Sequence, residues 1–132
     1  KIKKMCLNVK EIFRTRREAR EFARNPLIAK KDITVYKVIC PSGQAPYRSF
    51  IYEKGYHYYN EGKRALGTSI VNFRPNQWEI RVNQGLHSFI DKRCAKRMAI
   101  CGRQIVQMVI PKGSKYFLGE KGHAVSDNLI WY

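Results

Sequence analysis

Three histidines offer proton transfer or metal ligation: His57 in an aromatic run, His87 in Gly85-Leu-His-Ser88, and His123 in Gly122-His-Ala124. A metal centre built from neighbouring ligands needs a second soft or imidazole donor close by in sequence, and none of the three has a histidine or cysteine at i+2 or i+4, so no metal is assigned. For nucleophilic chemistry, His87 adjoins Ser88, and His123 precedes Ser126 and Asp127, the residue types that a nucleophile and its base require. Ser88 and Asp127 serve equally well as a helix cap and a turn residue. With Glu120 as the nearby acid, His87 and His123 are the catalytic candidates.

Cys6, Cys40, Cys94 and Cys101 form no CxxC pair and lie far from the histidines, which removes the usual zinc modules. Cys94 and Cys101 are seven apart, about 10 Å along a helix, beyond the reach of a disulfide. Reduced, mostly buried thiols are expected, and with them a cytoplasmic setting. The chain contains no GxxxxGK[ST] or GxGxxG loop, so neither ATP nor a dinucleotide cofactor is expected.

Charge is the stronger signal. The sequence carries 26 Lys+Arg against 10 Asp+Glu, a net charge of +16, together with eight Tyr, six Phe and two Trp. Lys and Arg release counterions from a nucleic-acid backbone, and exposed aromatics stack on unpaired bases, so phosphate-rich ligands suit this mixture. The expected nucleic-acid-binding residues fall in three groups: Arg16, Arg17, Arg20 and Arg24; Arg48, Lys54, Tyr56 and Tyr58; and Lys92, Arg93, Lys96 and Arg97.

The elements that must position these groups follow from local pattern. Thr15-Arg-Arg-Glu18 is a capping box, predicting a helix from about Arg16 to Arg24 with Ala19, Phe22 and Ala23 inward and the arginines outward. Asn25-Pro26 stops it. Upstream, Lys1 to Phe13 reads as a short strand or a helical turn. The β-branched run Ile33-Thr-Val-Tyr-Lys-Val-Ile39 predicts a strand near the centre of a sheet. Ser49–Tyr52 and Tyr56–Tyr59 read as a hairpin about Glu53-Lys54-Gly55, and two more strands, Ser69 to Phe73 and Gln77 to Val82, flank Arg74-Pro75-Asn76.

Ser88 and Asp91 as a capping pair, with Gly102 beyond, predict a second helix from Phe89 to Cys101. Its period sends Phe89, Ile90, Cys94, Met98 and Cys101 to the core and leaves Lys92, Arg93, Lys96 and Arg97 outside. Ile105–Ile110 is a buried strand, and Tyr116–Leu118 with Ala124–Tyr132 makes a last hairpin-like unit. The expected architecture is a single domain, 1–132, with a basic helical segment over 1–31 and a β-rich body over 32–132. Its class is α+β: one mostly antiparallel sheet of five to seven strands and two main helices. No run approaches the roughly 18 apolar residues of a membrane-spanning helix.

Several runs carry a resemblance. Thr15-Arg-Arg-Glu-Ala-Arg-Glu-Phe22, Asp32-Ile-Thr-Val-Tyr-Lys-Val38, Gly85-Leu-His-Ser-Phe89, Ile110-Pro-Lys-Gly-Ser-Lys-Tyr116 and Val125-Ser-Asp127 resemble a group of small uncharacterised proteins of gut-type bacteria and their phages, a likeness that implies no functional residues. More faintly, Val109-Ile-Pro-Lys-Gly113 resembles the late strand of ADP-ribosyltransferase folds. Those enzymes hold the nicotinamide ribose with a Glu after that strand and carry an Arg or His on an early strand. Here Glu120 is the only acidic residue nearby except Asp127, and the early strand offers Tyr36 and Lys37 in place of the Arg or His. The expected function is therefore a basic module that binds an anionic partner, nucleic acid first and an acidic host or phage protein second. The alternative is a divergent ADP-ribosyltransferase-like or nuclease-like enzyme using His87, His123 and Glu120.

Overall fold

The computed structural model describes residues 7–41, 51–59, 66–99 and 102–132. Eleven strands and two α-helices follow one another as β1 (Leu7–Phe13), α1 (Arg16–Arg24), β2 (Leu27–Ile28), β3 (Ile33–Ile39), β4 (Tyr56–Tyr59), β5 (Gly67–Arg74), β6 (Gln77–Gln84), β7 (Leu86–Phe89), α2 (Lys92–Met98), β8 (Gln104–Ile110), β9 (Lys115–Leu118), β10 (His123–Ser126) and β11 (Asn128–Trp131). The class is α+β and every strand pair is antiparallel, as expected. The strands outnumber the five to seven expected and divide into two sheets, β1-β6-β5 and β2-β9-β10-β7-β3-β8-β11-β4. An isolated bridge from Val9 to Gly119 joins the two.

Two apolar clusters explain the division. Leu7, Val9, Ala19, Ile80, Val82, Phe117 and Val125 fill the space between the small sheet, α1 and one face of β9 and β10. Val35, Ile39, Leu86, Met108, Ile110, Ala124 and Leu129 gather on the other face of the large sheet. Successive residues of a strand point to opposite faces, so β7 and β10 are buried on both sides: Val125 joins the first cluster while its neighbour Ala124 joins the second.

Local chemistry sets the element ends. The Thr15 hydroxyl accepts the Glu18 amide at 3.2 Å, and α1 spans the residues that the capping box predicts. Ala19 is its one fully buried residue, with Phe22 and Ala23 packed behind it. β3 runs through the interior of the large sheet, as the β-branched run requires.

Two expectations about single elements need correction. The second helix is shorter than Phe89–Cys101: it spans Lys92–Met98 and is capped by Asp91, whose carboxylate accepts the Arg93 amide at 2.9 Å. Ser88 and Asp91 are both capping residues by type, and Ser88 is claimed instead by the doubly buried β7, where it is 1% exposed. With the start shifted, Ala95 becomes the buried residue, Cys94 and Met98 are half-buried, and Ile90 is exposed. Cys101 lies outside the described residues.

The Tyr56–Tyr59 strand pairs with β11, and Ser49 and Phe50 of its expected hairpin partner Ser49–Tyr52 lie outside the described residues. The turn at Glu53-Lys54-Gly55 survives, with Gly55 at φ +94°. The last unit also splits: β9 and β10 form a hairpin, but the chain turns at Asp127 and β11 crosses to lie between β8 and β4. Of the N-terminal segment read as a strand or a helical turn, Leu7–Phe13 is the strand β1, and residues 1–6 lie outside the described residues. Among the described residues no helix is long and apolar enough to cross a membrane.

Candidate functional site

α1 carries a row of four exposed arginines. Helix neighbours lie three and four residues apart, so Arg16, Arg17, Arg20, Glu21 and Arg24 fall along one stripe, where they line an open recess of about 520 Å³. All four arginines are exposed. Arg17 reaches Glu21 at 3.7 Å, a pair with both side chains in solvent, while Arg16, Arg20 and Arg24 make no ion pair among the described residues. Exposed pairs of this kind contribute little, so the guanidinium repulsion along α1 stays largely uncompensated. The second basic group is also outside: Lys92, Arg93, Lys96 and Arg97 are all exposed on α2. Arg93 is partly engaged, since its backbone amide and then its guanidinium hold the Asp91 carboxyl below the usual carboxylate range.

A second centre lies where β7 meets β10 and β3. Register places Phe89 opposite His123 and His87 opposite Val125, so both histidines share one face of the ladder. His87 Nδ1 and His123 Nε2 are 2.9 Å apart, one donating a proton and the other accepting it. The His123 ring stacks on Phe89 at 5.0 Å between centroids. Burial pushes the His123 pKa down to about 4, helped by the positive charge of Lys37. Lys37 is itself buried on the face of Val35 and Ile39. Its ammonium donates to the His87 carbonyl and sits 4.9 Å from the centre of the Tyr52 ring. The Ser88 hydroxyl points to the opposite face from the histidines and has no hydrogen-bond partner among the described residues.

The structure thus brings two of the three catalytic candidates into contact. Glu120 is exposed in the short 3₁₀ turn before His123. Because the imidazoles touch each other, the arrangement suits a base oriented by its neighbour more than an acid and a base flanking a phosphate. Lys37 and Phe89 were not among the sequence candidates. Alternation along β3 already puts Lys37 on the face of Val35 and Ile39, and a charge at such a position is the signal that could have found it.

The aromatic group is divided. Tyr56 and Lys54 are exposed, whereas Tyr58 is half-buried: its ring lies 4.7 Å from that of Tyr52 and its hydroxyl donates to the Glu53 carbonyl at 2.9 Å. Arg48 lies outside the described residues. Cys40 and Cys94 are free, half-buried thiols, and among the described residues no three His, Cys, Asp or Glu side chains converge to hold a metal ion. No protein-family model, curated protein or solved structure matches the chain, and its function is argued from this geometry alone.

Proposed function

We propose that the protein is a nucleic-acid-binding module whose main contact is the arginine stripe of α1. The observation that supports it is the row Arg16, Arg17, Arg20 and Arg24, exposed along one recess with a single weak ion pair among them. Nine helical residues extend about 13 Å, enough to follow two or three successive phosphates, and guanidinium forks match phosphate oxygens. A polyanion would relieve the repulsion that the free protein carries.

Salt titration tests this reading. Binding to duplex or single-stranded nucleic acid is expected to weaken steeply between about 50 and 200 mM salt, each neutralised phosphate adding about −0.9 to the log–log slope for duplex and about −0.7 for single strands. Arg16→Glu with Arg20→Glu should make that slope shallower by about 2 and leave the fold intact, because exposed substitutions change stability by less than about 0.5 kcal/mol. Lys92→Glu with Lys96→Glu should matter less, α2 being shorter. Absence of binding at about 50 mM salt to duplex DNA, single-stranded DNA and RNA would refute the reading. An acidic protein bound in their place, and lost with the same α1 pair, would move the partner to the second class.

The contact of His87 with His123 favours one further reading, a nuclease-like or ADP-ribosyltransferase-like enzyme. Its requirement is cleavage of DNA, RNA or NAD by the wild-type protein that disappears in His123→Ala. Without such turnover the pair is structural.

A further inference from the structure

We propose a second contact, resting on the nucleic-acid reading: an aromatic cleft where β8, the end of β11 and the Lys54 turn meet, which takes one unpaired base of a single strand. Lys54, Val106, Gln107, Val109, Trp131 and Tyr132 line an open cleft of about 430 Å³. That is near the lower end of small-molecule pockets, about 300–1,000 Å³, a size for one nucleotide and not for a duplex. Of the large apolar side chains left exposed, Tyr132, at 68%, lines this cleft, and Tyr56 stands opposite Trp131 in the neighbouring strand.

The cleft is fixed from several sides. β4 pairs with β11 over four residues, setting Tyr56 opposite Trp131, and Ile130 pairs with Val109 of β8. The Gly55 amide donates to the Trp131 carbonyl, while the Tyr58 hydroxyl bonds both the amide and the carbonyl of Glu53. The turn that carries Lys54 is therefore tied to the strand that carries Trp131. Each lining group has a task in holding a nucleotide. The exposed ring of Tyr132 offers a stacking face, the half-buried Trp131 and Val106, packed against the core, form with Val109 the apolar wall, the exposed Gln107 amide is a donor and an acceptor for a base edge, and Lys54 is a cation for the adjoining phosphate. The net charge of +16 favours an anionic occupant over a neutral one. Neither Gln107 nor the two C-terminal aromatics was among the residues expected from sequence.

Tryptophan fluorescence and the anisotropy of a labelled probe test the cleft together, with a twelve-nucleotide single-stranded oligothymidylate and a twelve-base-pair duplex as probes. Single strand, but not duplex, should quench fluorescence, and Trp131→Phe should abolish the quenching while Trp78 still emits. Tyr132→Ala and Lys54→Ala, both at exposed positions, should each weaken single-strand binding about fivefold or more, the lower end for loss of a stacked base or a phosphate contact, and leave duplex binding within twofold. Single strand that binds without quenching, and equally well to Tyr132→Ala, overturns the cleft but leaves the α1 reading intact. Failure of both probes to bind at about 50 mM salt overturns both. Quenching by an acidic, phenylalanine-containing peptide and not by the oligothymidylate assigns the cleft to a protein partner and overturns the proposal.

Discussion

Gly85→Ala is expected to destabilise the protein by about 3 to 5 kcal/mol, more than most single substitutions do. Gly85 enters β7 with φ +148°, and a Cβ built on it would stand 2.2 Å from Val125 Cγ1 and 2.9 Å from Leu66 Cδ2. Val125 cannot yield easily, because it is fully buried among Leu7, Val9, Val82 and Phe117. Overpacking of such a core typically costs about 1 to 3 kcal/mol, and a non-glycine residue in a rare backbone region adds about 1 to 3. Gly55→Ala separates the two terms. Gly55 has φ +94° and no atom within 4 Å of its added Cβ, so only the backbone cost of about 1 to 2 kcal/mol should remain. Urea unfolding followed by circular dichroism measures both. Equal losses in the two variants would show that the approach of Gly85 to Val125 is not what fixes the start of β7.

The same segment shows where the sequence stopped being readable. α1 was legible to the residue because its signal is local: Thr15 caps Glu18 three residues on, and the arginines alternate with Ala19, Phe22 and Ala23 at helical spacing. β5 and β6 were legible for the same reason, since Asn76, at φ +58°, closes a tight turn between two short runs. β7 was not. Buried on both faces, it shows no apolar–polar alternation, and its polar His87 and Ser88 resemble loop and cap residues until two clusters close over them. β4 was placed as a strand, but its pairing with β11 was not legible, because that partner lies some seventy residues away. The candidate sites divide in the same manner. The arginine stripe follows from period alone, whereas the contact of His87 with His123 needs two strands thirty-six residues apart to meet in register.

That contact carries the second large effect, a loss of stability in mild acid. A histidine in an unfolded chain titrates near 6.5, and burial, aided by the charge of Lys37, lowers His123 to about 4 in the folded protein. Between those values the unfolded state binds a proton that the folded state refuses, so stability falls as pH falls. The contribution is fully present above about pH 6.5 and is lost progressively down to about pH 4. At 1.36 kcal/mol for each unit, the difference is up to about 3 kcal/mol. Protonation also strikes the contact itself, since a doubly protonated His123 ring can only donate toward His87 Nδ1, which must then accept. His123→Gln keeps an amide within hydrogen-bonding type and does not titrate in this range. Urea unfolding of the two proteins at pH 7, 6, 5 and 4 should show the wild type losing up to about 3 kcal/mol more than the variant, with the gap opening below about pH 6.5. Parallel curves would mean that solvent reaches His123 in the folded protein and that the pair with His87 is open at the surface, the condition under which it could meet a substrate.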